Sequence, residues 1–85
     1  MIPYRIFFWK KAEADFLKLP KEIQERIAGK LNICQANPFH YFTRLKGRSD
    51  YKLRVGDYRI SADIKQNERV IEVTKIGHRR NFYAE

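Results

Sequence analysis

Tyr51-Lys52-Leu53-Arg54-Val55-Gly56-Asp57-Tyr58-Arg59-Ile60 changes polarity at almost every residue on both sides of a Gly-Asp pair. A repeat of two is the mark of a strand with one face buried. The alternation continues through Ser61, Ala62, Asp63 and Ile64. Gly56-Asp57 can reverse the chain within two residues, so the two strands lie side by side and antiparallel. Gln66-Asn67-Glu68 reads as a second turn and Val70–Ile76 as a third strand. That strand alternates poorly, with Val70, Ile71 and Val73 beside Glu72 and Thr74, which suits an interior strand partly covered on both sides.

Upstream the period changes. Tyr4–Trp9 is rich in β-branched and aromatic residues and reads as a short strand. Lys11–Leu19 places Ala12, Phe16 and Leu19 on one helical stripe, which Pro20 interrupts. Proline suits the first turn of a helix, so Pro20 starts a second helix as well as ending the first. That helix carries Ile23, Ile27, Leu31 and Cys34 as a core-facing row, and Asn37-Pro38 stops it. The expected fold is α+β, in the order β-α-α-β-β-β. An αα-hairpin packs on one face of a small, mainly antiparallel four-stranded sheet, and the charge lies on the other face.

Eighty-five residues allow one domain, expected over residues 1–85. A domain of this size buries only about 60% of its unfolded-chain surface, so aromatic side chains must carry much of the burial. The single cysteine, Cys34, excludes an intramolecular disulfide and a Cys-rich metal site, and its place on an apolar row makes it a core residue. No apolar run approaches the roughly 20 residues that span a bilayer, and Ile2–Trp9, broken by Pro3 and Arg5, is no signal peptide. A soluble, cytoplasmic protein with no membrane partner is expected.

The formal net charge is +8, and eleven of the eighteen Lys and Arg residues lie from Arg44 onward. Such a balance favours encounter with polyanions. If Leu53, Val55, Ile60 and Ala62 face the helices, then Lys52, Arg54, Arg59 and Ser61 project from the opposite side. Three cations then sit roughly 5–8 Å apart, where they repel one another. A sequence shaped for stability alone would interleave carboxylates here. The plain reading is a solvated face whose cations deter edge pairing. The functional reading, favoured by His78-Arg79-Arg80 directly after the last strand, is a concavity that holds phosphate on arginine forks. His78 is a candidate acid or base beside such a phosphate, or a contact to it. His40, among aromatics, reads as structural. Tyr58 falls on the inward register, and Ser61 has no partners that would make it a nucleophile.

Taken together, Arg44-Leu45-Lys46-Gly47, the Tyr51–Ile60 run, Ile76-Gly77-His78-Arg79-Arg80 and Tyr83 resemble the RelE/ParE superfamily of toxin–antitoxin toxins. Tyr4-Arg5-Ile6 and the Leu19-Pro20 break fit the N-terminal half of that family, and the resemblance covers essentially the whole chain. Within the superfamily the chain looks most like archaeal RelE toxins. The resemblance implies a metal-independent endoribonuclease without cofactors that enters the ribosomal A site and cuts mRNA there. The 2′-OH of the RNA would attack the adjacent phosphate. By position in the motifs, Lys52, Arg54, Arg59, Arg79 and Tyr83 are the implied catalytic residues. Arg59 and Arg79 stabilise phosphate, Lys52 and Arg54 bind RNA, and Tyr83 stacks on or orients a base. Lys46, Arg48 and Arg80 are further RNA contacts, and His78 is the candidate acid or base. Arg54 stands where some RelE enzymes carry a second lysine, and arginine, always charged, is a poor proton shuttle. The resemblance also implies a cognate acidic antitoxin that wraps the toxin with a helix and an extended segment. ParE toxins, which inhibit DNA gyrase without nuclease chemistry, share much of the Gly-Asp-Tyr-Arg and Gly-His-Arg-Arg pattern. They form the alternative.

Overall fold

The computed structural model describes residues 2–44, 47 and 49–82. Their elements run β1 (Arg5–Phe8), α1 (Lys10–Leu17), α2 (Lys21–Cys34), α3 (Pro38–Tyr41), β2 (Thr43–Arg44), β3 (Tyr51–Val55), β4 (Tyr58–Lys65), β5 (Val70–His78) and α4 (Arg79–Phe82). The fold is the expected α+β arrangement. Among the described residues the sheet has five strands, in the order β1-β5-β4-β3-β2, rather than four. The additional strand, β2, has two residues, too few to show any alternation. The same holds for the single turns α3 and α4.

The hairpin of β3 and β4 has the expected register. Leu53 lies opposite Ile60 and Val55 opposite Tyr58, around a turn in which Gly56 takes φ 58°. Glycine reaches that left-handed region without steric cost. β1 pairs parallel to β5, with Ile6 beside Ile71 and Phe8 beside Val73, which makes the sheet mixed. β5 is the expected interior strand, between β1 and β4 with none of its residues exposed, and a bulge adds to its poor alternation. The register slips between Ser61 and Ala62, so Ala62 pairs with Val73 while Ser61 pairs with Lys75. Thr74 is the extra residue of this β-bulge, and its hydroxyl donates to the Ser61 carbonyl at 3.2 Å. The slip returns Ile76 to the same face as Ile71 and Val73, and all three are buried.

The helices cover that face. Ala12 of α1 and Ile27, Leu31 and Cys34 of α2 are buried against Leu53, Val55, Ile60 and Ala62. The break between α1 and α2 falls at Pro20, whose carbonyl receives the Ile23 and Gln24 amides. The Gln24 side chain caps the end of α1 by donating to the carbonyls of Leu17 and Leu19 at 3.2 and 2.9 Å. Pro38, which ends α2, also opens α3 at its first turn. Phe39 then sets α3 against the sheet through edge-on contacts with Tyr4 and Tyr51, at centroid distances of 6.4 and 5.7 Å. No helix among the described residues is long and apolar enough to cross a membrane.

Cys34 reports on this packing. Burial pushes its thiol up from 9.0 to about 11, against a smaller lowering by the Lys30 ammonium. At pH 8 the thiolate fraction is therefore about a hundredfold below that of an exposed cysteine. Labelling by a thiol reagent should be slow in the native protein and at least that much faster in denaturant. Equal rates in the two states would mean that α2 does not pack as described.

Candidate functional site

The alternation that buries Leu53 and Ile60 turns the neighbouring side chains outward. Arg54 and Arg59 are directly opposed across β3 and β4, with Gly77 of β5 beyond them. One step along the face, Thr43, Lys52, Ser61 and Lys75 form the adjoining row across four strands. The expected cationic face is present, and its members differ in their surroundings. Among the described residues Arg54 is exposed and makes no ion pair. Arg59 is half-buried, and its guanidinium donates to the carbonyls of Gly56 and Tyr58, each at 3.3 Å. Neither arginine is matched by a carboxylate among the described residues. Lys52 is matched: its ammonium lies 2.5 Å from Asp50 Oδ2 and 3.2 Å from Ser61 Oγ.

These cations form one wall of a groove of about 330 Å³. The other wall is built by Lys30 of α2 and His40 and Tyr41 of α3. Lys30 sits 4.9 Å from the centre of the Tyr41 ring, and His40 meets that ring edge-on at 4.8 Å. The lining thus carries Lys30, Lys52, Arg54 and Arg59, with no carboxylate among its described residues. A concavity of this kind favours an anion with several oxygens. Ser61 is buried, and its hydroxyl is engaged with both Asp50 and Lys52, so it is not presented as a nucleophile. No group of three His, Cys, Asp or Glu residues among those described is placed to hold a metal ion.

The remaining candidates are distributed around this groove. Arg79 begins α4 beside the β3–β4 turn. Its amide donates to the Asp57 carbonyl at 2.8 Å, and its Nε lies 3.9 Å from the Asp57 carboxylate. It therefore meets the same turn that receives the Arg59 guanidinium. His78 pairs with Tyr58 on the helix-facing register, opposite to that of Arg54 and Arg59. Its ring lies edge-on to Tyr58 at 5.3 Å, and its Nδ1 accepts the Arg80 amide at 3.2 Å. Arg80 is exposed on α4. Lys46, Arg48 and Tyr83 lie outside the described residues. Lys30, His40 and Tyr41 were not legible as site residues. They face Lys52, Arg54 and Arg59 across the groove from more than ten positions away in the chain, and α3, seated against the sheet by Phe39, is too short to carry a period.

A family model described as the ParE toxin of type II toxin–antitoxin systems matches residues 6–83. An Escherichia coli RelE-like toxin protein is 32% identical over 79 residues, which is 89% of this chain and 83% of that protein. The fold superimposes with a TM-score of 0.81 on a chain of the Mycobacterium tuberculosis toxin–antitoxin complex RelBE2, at 21% identity over 91% of this chain and 99% of that one. A chain of the archaeal RelE–RelB complex from Pyrococcus horikoshii matches with a TM-score of 0.78, at 25% identity over 92% and 97% of the two chains.

The opposed arginines give the groove a signature in stability. Like charges directly across two strands cost roughly 0.2–1 kcal/mol relative to neutral pairs. Arg54→Glu should therefore raise the urea midpoint at low salt. The gain should shrink as salt screens the pair. A midpoint lowered by this substitution would contradict the repulsion.

Proposed function

We propose that this chain, which belongs to the ParE toxin family of type II toxin–antitoxin systems, is an endoribonuclease that cuts mRNA in the ribosomal A site. The observation that carries this reading is the Arg54–Arg59 pair, opposed across two strands at a groove with no carboxylate among its described lining residues. A protein–protein inhibitor has no need to store that repulsion. A phosphodiester removes it and gains hydrogen bonds on both forks. The RelE-like relative supports the same reading, and the likeness to the archaeal RelE extends it to an archaeal type of RelE toxin.

In the reaction, the ribose O2′ attacks the adjacent phosphorus as the P–O5′ bond breaks. The products are a 2′,3′-cyclic phosphate and a 5′-hydroxyl. The 2′ proton leaves, and the departing O5′ gains one. Charge accumulates on the non-bridging oxygens, and fixed cations stabilise it most where no reorganisation is needed. Arg54 and Arg59 hold those oxygens, with Lys52 beside them on the next row. Arg79 adds charge from the β3–β4 turn. Tyr83 orients a base, and Lys46, Arg48 and Arg80 contact the flanking backbone. His78, set against Tyr58 with its Nδ1 on the Arg80 amide, holds the C-terminal turn and is the candidate acid or base nearest Arg79. The ribosome supplies the order that a groove without a positioned base lacks. An acidic antitoxin covers the cationic face in the resting, cytoplasmic complex, as the RelB partners of the solved neighbours suggest.

The matching family model favours one second reading, inhibition of DNA gyrase by protein contact. The two readings separate by primer extension on one defined mRNA, with and without programmed ribosomes. Stops at A-site codons are expected only with ribosomes, and Arg59→Ala should slow their appearance about 10²–10³-fold. An intact message in both reactions, together with gyrase inhibition by the same folded protein, would replace the nuclease by the gyrase reading.

A further inference from the structure

Of the three cations on the β3–β4 face, Lys52 alone is held by a carboxylate among the described residues. Its side chain is only 11% exposed, unlike a surface lysine that extends its ammonium into water. Two polar groups close a triangle with it. Lys52 Nζ donates to Asp50 Oδ2 at 2.5 Å and to Ser61 Oγ at 3.2 Å, and Ser61 Oγ donates to the same Asp50 oxygen at 3.0 Å. A hydroxyl can accept from one partner while donating to another, so the Ser61 geometry is consistent with both bonds. Ser61 is also the one buried polar side chain among the described residues. It lies opposite Lys52 in the sheet, where the neighbouring strand supplies a rigid floor.

We propose that Asp50, braced by Ser61, is the positioning residue that fixes the Lys52 ammonium in the wall of the groove, ready for the RNA phosphate. The proposal rests on the ribonuclease reading above. Without Asp50, Lys52 would be repelled by Arg54 and Arg59, and its four-carbon stem would swing toward solvent. The carboxylate offsets the repulsion and orders the stem before substrate arrives. A cation ordered in advance contributes more to a transition state than one that must be gathered from solution. Asp50 itself touches no reacting atom and acts through Lys52. Part of the groove's charge balance is thereby internal, with two arginines left for the ligand and one lysine set in place by the fold. A purely structural tie from residue 50 to β4 would make the same contacts, so the test must read Lys52 itself.

Wild-type protein, Asp50→Asn, Lys52→Ala and the double variant are compared in two measurements. In ¹⁵N-edited ammonium spectra of the free protein, one lysine resonance should be protected from solvent exchange. It should vanish in Lys52→Ala and lose its protection in Asp50→Asn. A protected Lys52 signal that survives Asp50→Asn overturns the proposal whatever the enzyme does. In single-turnover cleavage on saturating programmed ribosomes, Asp50→Asn should be about tenfold slower with unchanged half-saturation. Asp50→Glu should recover part of the rate. The two changes should not add, because one acts through the other. An equal drop in the Lys52→Ala background, or no drop at all, overturns the positioning role. A wild type that cuts nothing contradicts the ribonuclease reading alone, since the ammonium spectrum still decides whether Asp50 fixes Lys52. Should Asp50→Asn fail to fold, Ser61→Ala loosens the same triangle without removing a charge and carries the same expectations at smaller size.

Discussion

Repulsion between Arg54 and Arg59, fixed face to face by the register of β3 and β4, is the constraint around which the molecule is arranged. The same register that opposes them also pairs Leu53 with Ile60, so the charged face and the core are two sides of one hairpin. Moving the strands by one residue would relieve the cations and expose the core. The chain therefore keeps the repulsion and limits its reach. Arg59 is turned onto the carbonyls at the hairpin end, Arg79 is drawn to Asp57, and Lys52 is tied to Asp50. Arg54 is left open toward the groove.

The elements that were legible in the sequence are those with a period. Tyr51–Ile64 alternates strictly, and its strands, turn and inward residues follow directly from that pattern. Ile23, Ile27, Leu31 and Cys34 mark the inner stripe of α2, although Ile23 at its start is only half-buried. The illegible parts lack a period or break one. β2, α3 and α4 are two to four residues long and are held by tertiary contacts. In β5 one inserted residue, Thr74, resets the alternation, and a bulge leaves no mark in composition. The site divides in the same way. Lys52, Arg54 and Arg59 fall together because strand register places them together. His78 sits one residue away from Arg79 and Gly77 in sequence, yet strand parity turns it to the helix side. His40 reaches the groove on α3, which Phe39 seats between Tyr4 and Tyr51, and Lys30 reaches it from α2.

The same geometry ties the proposed activity to its control. A small fold with a thin core carries a cationic face at the expense of its own stability, and an anionic partner of the kind proposed would relieve that strain by mass action. An antitoxin and an mRNA would then compete for one surface through the same arginines. The ion pair at Asp50 sets Lys52 apart from this exchange, because that lysine already has an anion in the fold. Within one sheet face, the open cations would govern binding and the fixed one would refine geometry.

The central claim is that Arg54 and Arg59 are phosphate-binding cations, and the salt dependence of single-stranded RNA binding tests it most directly. Each phosphate contact contributes a slope of about −0.7 to the logarithm of affinity against the logarithm of salt. Removing Arg54 or Arg59 singly should flatten the wild-type slope by about that amount, and removing both should flatten it twice as far. Slopes unchanged by either substitution, in protein that remains folded, would contradict the account.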